Sequence, residues 1–512
     1  MSKEIIDKTL NLIKSGSYQE AENFLKENLE IDKKNQKFLN LLGYVKILDR
    51  KFDDAINIFE ELVKIDSSFI EGWINLGSTQ QILKKYDKAI ESYNKVISQK
   101  PDHVLALVNQ GIAFAQLKKY NLALINHEKA IKINNNNYEA WLNKGVALKG
   151  LLRHEEAIGS YEKAINLKPD HYVGWLNQGT AYIKLKKYEE AIKAFRKARE
   201  LNSNLPEIAH GEGLAKLTLG DFEDGFKKFE NRWNLKDFEE LRHQSIPLWT
   251  GQESIEGKRI LVWTEQGFGD TFQFCRYILN LLEKKAEVVF EVKSRIKNLA
   301  QCISEKIKVI KYGETFPTCN YQIPLLSLPL AFNTKLDNIP KKIPYFKINK
   351  NLIEHWNANV TNNKKPKIGL AWSTGSKYRS AKEKSINIDL LSPIISNEFN
   401  FFSIQKDLTK EEKIFLSKNK ITHFGEEDFL NTAAIIKNLD LVISIDTSIA
   451  HLSGAINMPT WILLSYSPDW RWLVDRNDSP WYPSVKIFRQ NNQGDWSNVI
   501  LSVKKELKNL QH

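Results

Sequence analysis

Residues 141–164 read WLNKGVALKGLLRHEEAIGSYEKA. The tryptophan, the glycine, the tyrosine and an alanine of this stretch all return along the chain at a step of 34 residues. Gly43, Gly77, Gly111, Gly145, Gly179 and Gly213 form one series, and Ala21, Ala55, Ala89, Ala123, Ala157 and Ala191 another. Trp73, Trp141 and Trp175 share a phase in which Leu39 and Leu107 also stand, and Phe59, Tyr93, Tyr161, Phe195 and Phe229 share a second. Pro101 and Pro169 close two of the units. A fixed period of this length marks a supersecondary element that stacks on its own copies. The pattern predicts a helical hairpin. Gly and Ala sit where two helices approach, the two aromatic phases fill the groove between neighbouring hairpins, and proline ends a helix because it lacks an N–H.

Seven such units run from about residue 2 to 239. With Trp141-Leu142-Asn143-Lys144-Gly145 followed by Ala157, Tyr161 and Ala164, they resemble tetratricopeptide repeats. In arrays of this kind the concave surface, built from first helices, meets partners. Asn75, Asn109, Asn143 and Asn177 recur there in phase. A ladder of amides, each both donor and acceptor, could hold the backbone of an extended peptide; alternatively, asparagine simply belongs to the repeat pattern.

Composition narrows the function classes. The 512 residues exceed one compact core. With 13 Trp, 17 Tyr and 25 Phe the chain is not a disordered polymer. No run of ~18 apolar residues is present to span a membrane, and the first residues lack the apolar centre of a signal peptide, so a cytoplasmic protein is expected. Cys275, Cys302 and Cys319 form neither a C-x-x-C pair nor, with histidines, a zinc-ligand spacing, so idle thiols and no metal are expected. Of the net charge of +12, residues 241–512 carry +10. A phosphate-bearing ligand suits that excess. The lysines are scattered without a nucleic-acid motif, so nucleic acid is set aside.

After a linker at 240–258 the 34-residue period gives way to strands alternating with helices. RILVWTE (259–265), AEVVFEV (286–292), KIKVIKY and a strand near YQIPLLSLP form a first set, with a helix over Thr271–Lys285. KIGLAWS (367–373) restarts the pattern, followed by FNFFSIQK, ITHFGE, DLVISID and TWILLSY, each separated by a helical run. Such alternation predicts parallel sheets covered by helices. The expected architecture is an α-solenoid over 1–239, then α/β in two Rossmann-like halves at 259–350 and 366–512, with ligand in the cleft between them.

The loops at strand ends carry the chemistry. Asp446-Thr447-Ser448 opens a helix whose free N–H groups favour an anion, with His451 one turn further on. Asp446 and Thr447 could equally be an N-cap, and His451 a satisfied half-buried histidine. The longer stretch VISIDTSIAHLSGAINMPTWILL resembles the D-[TS]-x-x-x-H-L-[AS]-x-A-x-x-x-P segment of heptosyltransferase-like (family 9) glycosyltransferases. Glu265-Gln266-Gly267-Phe268-Gly269-Asp270 resembles that family's Gly-Asp loop, and KIGLAWSTGSKYRSAKEKSIN its second-domain entry. The resemblance implies a GT-B fold, an inverting transfer from a nucleotide-diphosphate sugar to a protein or glycan hydroxyl, and no cofactor or metal. It implies Asp270 as general base and Lys384 as the cation that stabilises the departing diphosphate, with Lys377 and Arg379 as competitors. Gly267 and Gly269 keep the loop open beside the substrate. Ser373, Thr374, Lys377, Asp446, Thr447, Ser448 and His451 then belong to nucleotide-sugar binding, and the repeats recruit acceptor or partner. Glu-Gln-Gly-Phe replaces the usual residues of the first loop, and Ser385-Ile386-Asn387 stands where that family carries Lys-Trp-Pro, so the resemblance fixes neither the sugar nor the acceptor. Two rival readings are a protein-interaction scaffold with an inactive transferase-like domain and a sugar-nucleotide epimerase. The epimerase leaves the repeats unexplained.

Overall fold

The computed structural model describes residues 2–360, 364–374, 383–425 and 427–510. Its contacts divide the chain into two compact units, Met1–Ser203 and Asn204–His512.

The first unit is six helical hairpins. Tyr138–Gly150 and His154–Leu167 form the fifth, a helix of 13 residues and one of 14. Glycine is needed in the first helix because the partner helix lies against it. A Cβ on Gly145 would sit 2.4 Å from Cε1 of Tyr161, and Gly43, Gly77 and Gly179 face Phe59, Tyr93 and Phe195 in the same way. The second aromatic phase thus packs inside its own hairpin, and the expectation that it fills the groove between hairpins is corrected. Trp73, Trp141 and Trp175 are half-buried; their Nε1 atoms donate to the carbonyls of Ser67, Asn135 and Pro169, tying each helix to the turn before it. Gly145→Val should drive two methyls into the Tyr161 ring and lower stability by roughly 1–3 kcal/mol, measured by chemical denaturation.

At Gly111 the opposing residue is a histidine. The His127 ring is fully buried, a Gly111 Cβ would lie 2.4 Å from its Cε1, and neither ring nitrogen has a hydrogen-bond partner. Burial pushes its pKa from 6.5 down to about 4. The unfolded chain therefore takes up this proton below pH 6.5 while the folded chain resists it. Stability from this residue is complete above pH 6.5 and is lost as pH falls toward 4. His127→Phe matches the residue type of the neighbouring repeats. It should gain about 2 kcal/mol over the parent at pH 5 and less at pH 8, read from denaturation at the two pH values.

The second unit opens with a seventh hairpin, Pro206–Leu219 and Phe222–Phe229, then a 3-10 turn Glu230–Asn234. Its sequence reads as a repeat ending at 239, yet it packs with the α/β part. Leu217, Phe222, Phe226 and Phe229 join one core with Phe274, Trp470 and Trp481. The connection at 240–258 is likewise no free linker: Trp249 and Ile255 are buried, and the Trp249 N–H donates to the carbonyl of Gln322 at 2.9 Å.

Two parallel sheets follow. β1 (Arg259–Trp263), β2 (Glu287–Val292), β3 (Lys308–Lys311) and β4 (Tyr321–Pro324) are ordered β3-β2-β1-β4. β5 (Lys367–Ala371), β6 (Asn400–Ser403), β7 (Thr422–His423), β8 (Leu441–Ile445), β9 (Thr460–Leu464) and β10 (Val485–Arg489) are ordered β10-β9-β8-β5-β6-β7. β8, with every residue buried, shows why these strands read as continuous apolar runs. β10 was not expected from the sequence; its Lys486 and Arg489 interrupt the apolar run. The helix expected over Thr271–Lys285 is two, Phe268–Phe274 and Arg276–Glu283. In each sheet the chain order reverses beside the first strand, between β1 and β4 and between β5 and β8. Ligand crevices form at such points, outside the carboxyl ends of the strands.

Candidate functional site

A cavity of about 500 Å³ lies at these strand ends. Gly267, Phe268, Gly269 and Arg295 line it from the first sheet's side. Ser373, Thr374, Lys384, Asp446, Thr447 and Ser448 line it from the second. The two sides meet through Phe268 and Phe272, whose rings pack on Phe429 at 5.0 and 4.9 Å.

β8 delivers Asp446 to the cavity. Lys384 reaches its Oδ2 at 2.6 Å, and Nε2 of His451 lies 3.7 Å from its Oδ1. Burial alone would raise the Asp446 carboxyl, but Lys384 and His451 outweigh it and hold the group well below the ordinary carboxylate range. For Lys384 burial works against the charge and Asp446 reverses the sign, so its ammonium pKa rises. An ammonium has three N–H donors, so one bond to Asp446 leaves others for a ligand. Asp446 is therefore an ion-pair partner; the N-cap position belongs to Thr447, whose hydroxyl lies 3.1 Å from Ser444 Oγ and caps nothing. The helix Ser448–Ala455 starts in the cavity wall, where its dipole favours negative charge.

Ser373 and Thr374 leave β5 at the same edge. Gln405, buried after β6, accepts from the N–H groups of Trp372 and Ser373 at 3.0 Å each and fixes this loop. The Thr374 N–H donates to Ser385 Oγ at 3.1 Å. Lys377 and Arg379 lie outside the described residues.

Gly267 is the N-cap of the helix Phe268–Phe274, and Asp270 its third residue. Asp270 therefore caps from inside the first turn: its Oδ2 accepts from the Gly267 N–H at 2.9 Å. Its Oδ1 meets Arg471 at 2.5 Å, and Arg471 also holds Asp469 at 2.7 Å. Burial opposes the Arg471 charge, but Asp469 and Asp270 overcome this and raise its pKa. Gly269 has a steric reason to be glycine, because a Cβ there would lie 2.8 Å from Cδ2 of His451. Glu265, which precedes the loop, is sealed off. It is fully buried, receives Arg232 at 3.0 Å, and burial pushes its pKa up to about 7. It is not a substitute for Asp270.

Arg471, Asp469, Trp472 and Tyr482 escaped sequence reasoning. Trp472 stacks on His451 at 5.1 Å, and Tyr482 Oη lies 3.0 Å from its Nδ1. The only signal was the density of Trp, Arg and Asp in PDWRWLVDRNDSPWYP, which has no periodicity from which to assign roles.

In the repeat unit the four asparagines are half-buried and partly engaged. Asn75 donates to Asn40 at 2.8 Å, Asn143 to the Glu139 carbonyl at 2.9 Å, and Asn177 accepts from Lys149 at 3.0 Å. Asn109 lies beside the Tyr93 hydroxyl. A peptide ladder would have to use the atoms these bonds leave over. Among the described residues no His/Cys/Asp/Glu cluster suits a metal ion, and no helix is long and apolar enough to cross a membrane.

Comparison with known proteins bears on the repeats. Tetratricopeptide-repeat models match residues 70–103, 138–171 and 172–205. Protein FlbA of Caulobacter vibrioides is 23% identical over 279 residues, covering 49% of this chain and 46% of that protein. The chain thus spans about half the length of the curated relative it matches. A tetratricopeptide repeat protein from Parabacteroides merdae is 21% identical, covers 44% of this chain and 90% of its own, and superposes with a TM-score of 0.40. YrrB, described as a TPR protein with an unusual peptide-binding site, is 18% identical, covers 37% and 98%, and has a TM-score of 0.32. Three hairpins of the first unit thus match tetratricopeptide repeats, the role such repeats imply is protein interaction, and a parallel-sheet α/β region follows the array.

Proposed function

We propose that the α/β unit is a two-Rossmann (GT-B) glycosyltransferase domain that binds a nucleotide-diphosphate sugar in the 500 Å³ cavity and transfers the sugar to a hydroxyl of a protein or glycan. The observation that supports it most is the Lys384–Asp446 pair set beside a helix start at the switch point of the second sheet. Diphosphate oxygens at this place would meet the remaining Lys384 donors, the N–H groups of the Ser448 turn and the hydroxyls of Thr447 and Ser448. As the bond to the anomeric carbon breaks, charge grows on the leaving diphosphate, and Lys384 is placed to stabilise it. Asp270 would take the proton of the acceptor hydroxyl through a lone pair that Gly267 and Arg471 leave open. The repeats would recruit the acceptor or a partner protein.

The engagement of both Asp270 oxygens favours a second reading, a protein-interaction scaffold whose transferase-like domain binds without turning over. Thermal-shift titration with ADP-, UDP-, GDP- and CDP-sugars, followed by a donor-hydrolysis assay on any binder, separates the two. A bound ligand at a hundredfold excess over Kd should add about 2.7 kcal/mol. Binding with turnover supports the transferase, binding without turnover the scaffold, and no shift with any of the four opposes both.

A further inference from the structure

His451 stands beside Asp446 with its protons unassigned by sequence, and its surroundings assign them. The ring is buried, stacked by Trp472 on one face, and confined by Gly269 at Cδ2. Its Nδ1 faces the Tyr482 hydroxyl at 3.0 Å and its Nε2 faces Asp446 at 3.7 Å. Tyr482 is fully buried, and burial raises its phenol pKa well above 10, so it keeps its proton. The nearby Tyr345 hydroxyl directs its own proton to the Phe272 carbonyl at 2.7 Å. An acceptor for the Tyr482 proton stands 3.0 Å away, Nδ1 of His451.

We propose that Tyr482 is a positioning residue for the cavity: its hydroxyl donates to Nδ1 of His451, which places the ring proton on Nε2 and turns a donor onto Asp446. This rests on the nucleotide-sugar reading of the same cavity. A carboxylate in a phosphate site repels its ligand unless a cation and donors beside it offset its charge. With the His451 N–H directed at Oδ1 across 3.7 Å and Lys384 bonded to Oδ2, Asp446 faces a donor at one oxygen and a cation at the other, and Lys384 keeps donors for phosphate. Without the Tyr482 proton the ring is free to take the other tautomer. A bare Nε2 would then face Asp446, and Lys384 would be drawn toward the carboxylate and away from the ligand. Tyr482 touches no ligand and acts only through His451. Among the described residues, Asp446, Tyr482, Trp472 and Gly269 face that ring.

The test uses the full chain labelled with ¹⁵N-histidine, with the His451 signals assigned by their loss in His451→Gln. At pH 8 the parent should show the Nε2–H tautomer. Tyr482→Phe, which keeps the ring and loses only the hydroxyl, should show a mixture containing Nδ1–H. Titration of both proteins with inorganic pyrophosphate and with ADP, UDP, GDP and CDP should show about tenfold weaker binding in the variant, as loss of one hydrogen-bonded donor predicts. A purely structural tyrosine would change the melting curve without changing the tautomer. An Nδ1–H parent, an unchanged tautomer in the variant or an unchanged affinity overturns the proposal. A parent that binds none of the probes removes the nucleotide reading instead, and the tautomer still decides for or against Tyr482.

Discussion

Lys384→Met should abolish nucleoside-diphosphate binding and destabilise the α/β unit by roughly 3 kcal/mol. Both effects have one cause. Asp446 is nearly buried and depends on Lys384 at 2.6 Å to remain an anion there. Removing the cation leaves a buried charge without its closest partner, which costs more than the pair contributes. The lower end of the usual range applies because the Lys384 side chain is 28% exposed and water can partly replace it. The double variant Lys384→Met/Asp446→Leu should recover most of the stability, because replacing both members leaves no orphaned charge. It should not recover binding. Calorimetric titration with ADP, UDP, GDP and CDP beside thermal melts reads both quantities. Unchanged binding in Lys384→Met would remove Lys384 from the phosphate site.

Asp270→Asn is the second large expectation, and the structure changes how it must be read. As a capping residue, asparagine would serve nearly as well as aspartate. Asp270, however, also pairs with Arg471, so the variant loses a charge-assisted bond and should fall by about 1–3 kcal/mol in stability. Arg471 keeps Asp469, which limits the loss. If Asp270 is the general base, donor turnover should fall by about 10²–10⁴-fold beyond any change in folded fraction. Asp270→Glu keeps the charge and separates the roles. It should retain pairing to Arg471 and recover most of the melting temperature, while turnover stays low because the carboxylate is displaced by one methylene. A fully active Asp270→Asn protein at temperatures well below its melt would exclude the base assignment and leave Asp270 as a clasp between the two sheets.

Trp470, beside Arg471, is part of what joins the seventh hairpin to the α/β part. Its ring packs against Phe222, Phe226 and Phe229 at 6.1, 5.6 and 6.4 Å. The Arg471 guanidinium in turn lies 4.6 Å over Trp470. The hairpin is thus a wall behind the Asp270–Arg471 pair as well as a repeat by sequence.

The sequence by itself determined the repeats. Their 34-residue period is a local pattern, in which a glycine and an aromatic sixteen residues later meet across one tight turn, as Gly145 and Tyr161 do. It also determined the strand–helix alternation, because buried strands read as apolar runs, and set Asp446, Thr447, Ser448 and His451 at a strand end, whereas Lys384 was singled out only by the resemblance to heptosyltransferase-like glycosyltransferases. Tertiary structure alone decided which loops face one another. Asp270 and Arg471 lie 201 residues apart, and nothing between them is periodic. Their meeting depends on the order of two parallel sheets and on how these close around Phe429. The sequence marks the last hairpin, with GDFEDGFKKFENRW, as an atypical capping unit, but only tertiary packing shows that it belongs with the α/β part. The same holds for Tyr482: an isolated tyrosine after a proline-rich turn acquires a role only when burial brings its hydroxyl to a histidine 31 residues away.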